Sequence, residues 1–182
     1  MSHTPRILVF AGSARKESFN KKLAAIAADA ARAAGAEVTH LDLADYPMPI
    51  YDGDLEAADG MPENAKKLKQ LFIDHDALLI ASPEYNSSFS PLLKNVIDWV
   101  SRGEGGLIAY KGKVAGLLAA SPGALGGLRG LVHLRSVLGN IGVLVLSNQR
   151  AVNASALDDP KTAEQVAALA KELVDTVAKL KA

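Results

Sequence analysis

A short apolar run, followed at once by a polar turn and an alanine-rich stretch, constrains this chain more than any other feature. Residues 7–10 (Ile-Leu-Val-Phe) are apolar without alternation, which is typical of a strand buried on both faces of a parallel sheet. Gly12 ends the run, and alanines dominate from residue 24 onward. The stretch therefore predicts a strand, a turn and a helix, in that order.

The turn between this strand and helix is rich in groups that bind anions. It contains Ser13, Arg15, Ser18 and Asn20. The free N–H groups and the dipole of a helix N-terminus favour an anion, and hydroxyl groups with a guanidinium complete its coordination. The turn therefore favours a phosphate site, although serine and asparagine also occur in such turns simply as capping residues.

The rest of the chain repeats the strand-and-helix pattern. Further strands are predicted at 38–43, 77–81, 114–120 and 143–146, and helices at 20–34, 62–74, 92–102, up to about 138, and 160–180. Five strands alternating with five helices, without a linker or an internal repeat, predict one doubly wound α/β domain over residues 1–182. The hydrophobic fraction of 49% is sufficient for its core.

Composition excludes several classes of protein. Twenty basic residues balance twenty acidic ones, and the chain contains no cysteine. Binding to nucleic acid or to a membrane surface needs a basic excess, so neither is expected. No apolar run approaches 18 residues, and the four histidines lack the spacing of metal ligands. We therefore expect a cytoplasmic protein with no metal site.

Three loops that follow strands carry small and polar residues. They contain the turn at 12–20, the segment Pro83-Glu84-Tyr85-Asn86, and a glycine-rich stretch with Ser121 and Gly123. In the strand order 2-1-3-4-5 the three strands before these loops are neighbours, so their loops form one crevice at the carboxyl edge of the sheet. This convergence favours the phosphate site over simple capping. Glu84 is equally compatible with a ligand contact and a solvated loop charge, and Tyr85 with a ligand contact and a packing residue at the sheet edge.

Two other segments need an interpretation. Residues 44–61 are predicted to be a long loop, and loops of that length are usually functional or mobile. The helix after Ser90-Pro91 has apolar residues on more than one face, including Trp99. That surplus predicts either a subunit interface or a helix covered by neighbouring loops of its own chain.

The segments GSARKESFN (12–20), SPEYNSSFSPLLKNVIDWV (82–100) and SPGALGG (121–127) resemble the NADPH-dependent FMN reductases. That group includes quinone and chromate reductases of flavodoxin-like fold. The similarity covers about residues 5–150, and the segment 82–100 is its most specific part. The resemblance implies a flavodoxin-like sandwich with a five-stranded parallel sheet and helices on both faces.

The resemblance also implies a cofactor and its ligands. Four residues of the first loop would bind the FMN phosphate: Ser13, Arg15, Ser18 and Asn20. Six others would lie along the ribityl chain and the flavin ring: Pro83, Glu84, Tyr85, Asn86, Ser121 and Gly123. No catalytic side chain is expected, because the flavin carries the redox chemistry. The missing G-x-G-x-x-G turn favours FMN over a dinucleotide flavin.

The function predicted in this way is an oxidoreductase that uses NADPH or NADH as electron donor. Its acceptor would be a quinone, free flavin, an azo dye or a metal oxyanion, and it would form a homodimer or homotetramer. The alternatives are a flavodoxin-like electron carrier, which usually has an acidic face, and a nucleotide-binding regulatory module. The neutral net charge and Arg15 favour the reductase.

Overall fold

A computed structural model describes residues 3–182. The strands are β1 Arg6–Ala11, β2 Glu37–Leu41, β3 Ala77–Ala81, β4 Glu84–Tyr85, β5 Ser88–Phe89, β6 Val114–Ser121 and β7 Leu144–Asn153. The helices are α1 Phe19–Ala33, α2 Gly53–Asp59, α3 Glu63–Asp74, α4 Pro91–Val100, α5 Leu128–Asn140 and α6 Pro160–Leu180. Across these residues, no helix combines the length and the apolar character that crossing a membrane requires.

Five of the strands form a parallel sheet in the order β2-β1-β3-β6-β7. Counted among the parallel strands alone, this is the predicted order 2-1-3-4-5, which is confirmed. The chain reverses its direction of winding between β1 and β3. The crevice expected at such a reversal lies outside the carboxyl ends of these strands.

Helices cover both faces of the sheet. On one face α1 and α6 pack on residues such as Val9 and Leu118, and on the other face α3, α4 and α5 pack on residues such as Phe10 and Leu117. β1 and β3 are therefore buried from both sides, which is why their sequences are continuously apolar rather than alternating.

Several predicted boundaries differ from those of the structure. The segment 44–61 is not structureless, because Asp52 accepts hydrogen bonds from the N–H groups of Asp54 and Leu55 and starts α2. α2 has no buried residue, and its sequence therefore shows no apolar stripe from which a helix could be predicted. Pro62 precedes the first residue of α3 as its N-cap, and β7 continues through a polar stretch as far as Asn153. The short β4 and β5 strands were not predicted.

The apolar surplus of α4 is covered by the chain itself. The side chain of Trp99 is fully buried, and its Nε1 donates a hydrogen bond to the carbonyl of Pro49 at 2.9 Å. The ring of Tyr51 packs edge-on against Trp99, with 5.1 Å between centroids. The expectation that Trp99 lies in a subunit interface is therefore wrong, and the alternative of a helix covered by neighbouring loops is correct.

Candidate cofactor site

The loops that follow β1, β3 and β6 meet at one edge of the sheet and enclose a crevice of about 110 Å³. Its lining consists of Ser13, Arg15, Ser18, Phe19, Asn20, Pro83, Glu84, Tyr85, Ala120, Ser121 and Pro122. Eight of the ten predicted site residues are in this set, and Asn86 and Gly123 are not. Phe19, Ala120 and Pro122 were not predicted, although each is adjacent in sequence to a residue that was.

The first loop presents donors at the beginning of α1. Ser18 is the N-cap, and its Oγ accepts a hydrogen bond from the N–H of Lys21 at 3.4 Å. The N–H groups of Phe19 and Asn20, the first two helical residues, have no partner within the helix. The Ser13 hydroxyl accepts a hydrogen bond from the N–H of Arg15. The loop thus combines a helix terminus, two hydroxyl groups and a guanidinium.

Arg15 is the cation of this crevice. It is exposed, and it is the single positively charged side chain among the residues that line the crevice. The nearby Lys21 is held elsewhere, because its Nζ lies 2.6 Å from Oδ2 of Asp42. An anion at the start of α1 would therefore meet Arg15 without competition from Lys21.

Asn20 uses its side chain to hold β6. Its Nδ2 donates to the carbonyl of Ala120 at 2.9 Å, and its Oδ1 accepts from the N–H of Ala120 at 2.9 Å. At Ala120, β6 no longer pairs with β3, because β3 ends at Ala81 opposite Leu118. The amide of Asn20 replaces that neighbour, a structural role that was not predicted, and the predicted phosphate contact of Asn20 stays a prediction.

The second loop is a β-hairpin. β4 and β5 pair antiparallel, with Glu84 opposite Phe89 and Tyr85 opposite Ser88. The two turn residues, Asn86 and Ser87, have positive φ angles of 49° and 66°, as a type I′ turn requires. Asn86 therefore sits at the exposed tip of the hairpin, away from the lining where it was predicted. Tyr85 remains 45% exposed at the mouth of the crevice.

The Glu84 side chain points towards α5. Its Oε2 accepts a hydrogen bond from the N–H of Gly130 at 3.1 Å, and its Oε1 lies 3.3 Å from Nε of Arg129. The carboxylate is thus engaged within the protein. Its interpretation as a merely solvated loop charge is wrong, since the side chain is only 12% exposed.

The third loop is held by close backbone packing. The Ser121 hydroxyl accepts from the N–H of Gly123 at 3.2 Å, and Asn153 at the end of β7 donates to the carbonyl of Gly123 at 3.4 Å. Gly126 has a φ of +58°, and a Cβ there would lie 2.7 Å from the backbone nitrogen of Val152. Glycine is therefore required at this position, which explains part of the glycine-rich signature.

A larger cleft of about 670 Å³ lies between α3 and residues 103–108. Its floor is closed by Lys69, whose Nζ donates to the carbonyl groups of Arg102, Glu104 and Gly106. This cleft lies away from the carboxyl ends of β1, β3 and β6, and none of the predicted site residues lines it. The predicted site residues therefore line the smaller crevice and not the larger cleft.

Comparison with known proteins identifies the family to which this chain belongs. The sequence profile of the family described as NADPH-dependent FMN reductase matches residues 5–156. The chain belongs to this family. It is 38% identical to a 2-hydroxy-1,4-benzoquinone reductase from Burkholderia sp over 79% of this chain and 75% of the relative. It is 33% identical to a quinone reductase from Escherichia coli K12, over 91% of this chain and 87% of the relative.

A solved structure of similar fold supports the same classification. The flavoenzyme NAD(P)H:(acceptor) oxidoreductase FerB from Paracoccus denitrificans is 30% identical and superposes with a TM-score of 0.83, covering 97% of this chain and 98% of that chain. As a member of the FMN reductase family, the protein is a flavodoxin-like oxidoreductase that uses FMN and NAD(P)H. The predicted family, fold, enzyme class and cofactors are confirmed, and the reductase is favoured over the electron carrier.

Proposed function

We propose that this FMN reductase family member reduces quinones with NAD(P)H, using FMN bound in the crevice at the carboxyl ends of β1, β3 and β6. The overall reaction converts a quinone, NAD(P)H and one proton into the hydroquinone and NAD(P)⁺. The observation that carries the proposal is the anion-binding start of α1 opening onto the same crevice as the hairpin and the glycine loop. The relatives named as quinone reductases support the choice of acceptor.

The phosphate end of the crevice fits FMN. The free N–H groups at the start of α1 supply fixed dipoles for a dianion. The hydroxyl groups of Ser13 and Ser18 and the guanidinium of Arg15 line the same space. We assign these three residues to the phosphate. Asn20 acts on the phosphate indirectly, since its amide holds Ala120.

The end of the crevice proposed for the flavin ring is more open than the phosphate end. A crevice of about 110 Å³ is small beside typical ligand pockets of roughly 300–1,000 Å³. The flavin ring would therefore rest at its mouth, between Pro83 and Tyr85 on one side and Ser121 and Pro122 on the other. We assign hydrogen bonds with the ring edge to the backbone of Glu84, which lines the crevice, and of Asn86 and Gly123, which are close in sequence to lining residues.

FMN, when bound, supplies the redox chemistry by accepting a hydride from the nicotinamide and passing two electrons to the acceptor. The protein then needs to orient the ring, leave one face accessible and exclude competing contacts. The Glu84 carboxylate is already engaged by Gly130 and Arg129, so it is not free to contact the quinone. We assign no catalytic side chain, and water at the open mouth supplies the proton.

We also propose that the protein is a homodimer or homotetramer, through a surface that differs from the one first expected. Leu125, Leu128 and Val132 are 49%, 39% and 53% exposed, and they follow one another along the loop before α5 and its first turns. This apolar strip adjoins the glycine loop, so a second copy placed on it would cover the open mouth. Light scattering of wild type and of Val132→Asp tests this, and a monomeric wild type at micromolar concentration would contradict it.

A cytoplasmic location and a single domain stay predictions.

Steady-state rates test the proposed acceptor. The FMN-loaded protein should be assayed with benzoquinone, free FMN, an azo dye and a ferric chelate, each with NADH and with NADPH. We expect the highest kcat/KM with the quinone. A ferric chelate or azo dye that exceeded benzoquinone by tenfold would show that the quinone is not the preferred acceptor.

A further inference from the structure

We propose that Glu84 is a positioning residue that fixes the two walls between which the flavin ring lies, by capping α5 from the neighbouring hairpin. This inference rests on the proposed function, since it places the flavin in the crevice described above. Glu84 is 46 positions away from the helix turn that it holds. Its hydrogen bond therefore ties together two segments that are distant in sequence, and in this way it sets the shape of the site.

The start of α5 needs a cap from outside the helix. Its N-cap is Gly127, which has no side chain to accept a hydrogen bond from the first turn. The carboxylate of Glu84 fills this role, with Oε2 accepting from the N–H of Gly130, the third residue of the helix. A carboxylate at this position also complements the positive end of the helix dipole.

The hairpin lies directly on the backbone of α5. A Cβ on Gly130 would approach the carbonyl carbon and oxygen of Ser88 to 3.3 Å and Cβ of Glu84 to 3.4 Å. His133 of α5 adds a contact, with Nδ1 3.1 Å from the hydroxyl of Ser88. The hairpin and the first turn of α5 therefore move together.

This contact joins two walls of the crevice. Tyr85 follows Glu84 on the hairpin and forms one wall, while the loop with Ser121 and Pro122 runs into Gly127 at the start of α5 and forms the other. Releasing Glu84 from Gly130 would let the two walls separate. A wider mouth would bind the ring more weakly without touching the phosphate end.

The same contact determines which end of the crevice would bind the phosphate. Two helix N-termini, those of α1 and α5, follow the loops that line it, and either could attract a phosphate. Glu84 already places a carboxylate on α5, while α1 has Arg15 beside it. The phosphate is thereby directed to α1 and the ring to the Glu84 side.

Titration of wild type and variants with two flavins tests this inference. Glu84→Ala should weaken FMN and riboflavin binding equally, by about tenfold, because the loss is at the ring. Glu84→Gln should stay within about threefold of wild type, because its amide oxygen still accepts from Gly130. Arg15→Ala, in contrast, should weaken FMN far more than riboflavin, since riboflavin has no phosphate. Glu164→Ala, at an exposed position of α6, serves as the matched control.

Gly130→Ala provides a second variant, in which the Glu84 side chain itself is not changed. Its methyl group would lie 3.3 Å from the carbonyl of Ser88, so the hairpin must shift by a few tenths of an ångström, and we expect a smaller loss of affinity that is equal for both flavins. The inference is overturned if Glu84→Ala or Gly130→Ala binds both flavins like wild type. It is also overturned if Glu84→Gln loses as much affinity as Glu84→Ala, since a flavin contact by the carboxylate itself would then be the better explanation. Wild-type protein that bound no FMN would instead refute the proposed function.

Discussion

Asn20 and Ala120 are 100 positions apart, yet the amide of Asn20 makes two hydrogen bonds of 2.9 Å to the N–H and carbonyl groups of Ala120. The pair joins the start of α1 to the end of β6. These two elements contribute the proposed phosphate end of the crevice and the start of its third loop. The proposed cofactor crevice is thus held together by hydrogen bonds within the protein itself.

Asn20→Ala should destabilise the fold by about 1–3 kcal/mol, because the buried N–H and carbonyl of Ala120 lose their partners. Asn20→Asp should be worse near neutral pH, since a carboxylate would face a carbonyl oxygen. Urea unfolding measures both, with the exposed Gln165→Ala as control. A stable Asn20→Ala variant that lost FMN affinity would indicate a direct phosphate contact instead.

Arg15→Ala should lower FMN affinity by roughly ten- to a hundredfold, or about 1.5–3 kcal/mol, through the loss of charge-assisted hydrogen bonds. The fold should keep its stability, because Arg15 is exposed. Fluorescence titration measures the loss. Lys16→Ala is the matched control, since Lys16 has the same charge in the same loop and does not line the crevice. Equal losses in the two variants would argue against a specific phosphate contact.

The sequence predicted the parts of this fold that depend on local pattern. Ala77–Ala81 is continuously apolar and forms the predicted strand β3, and Ser90 with Pro91 opens α4 as expected. The role of Glu84 could not be predicted, because it depends on Gly130 being brought close by tertiary packing. The burial of Trp99 within its own chain was hard to predict for a similar reason. Pro49 and Tyr51, which contact it, belong to a segment with no apolar periodicity.

The hairpin turn contains a residue in an unfavourable conformation. Ser87 has a φ of 66°, in the left-handed region that costs most residues other than glycine. Ser87→Gly should therefore stabilise the protein by about 0.5–1 kcal/mol, after the greater chain entropy of glycine is included. Urea unfolding measures the change. Ser136→Gly, in the middle of α5, should have the opposite sign, and a loss of stability in Ser87→Gly would contradict the prediction.

Lys113, at the amino end of the sheet, should make stability depend on pH in the alkaline range. The residue is 7% exposed, and its Nζ donates to the carbonyl of His75 at the end of α3. Burial lowers the pKa of Lys113 from 10.5 to about 8, with Lys181 and Arg6 acting in the same direction and Asp76 and Asp74 opposing them. Between these two values the folded state holds fewer protons than the unfolded chain, so stability from this group rises as pH increases.

The difference in unfolding free energy between wild type and Lys113→Met isolates this contribution, because the other titrating groups cancel. We expect the difference to shift in favour of wild type between about pH 7 and about pH 10. Lys111→Met, at an exposed position two residues earlier, should show no such trend. A difference that stayed constant would mean that Lys113 keeps an ordinary pKa, and one that fell with pH would mean that its charged form stabilises the fold.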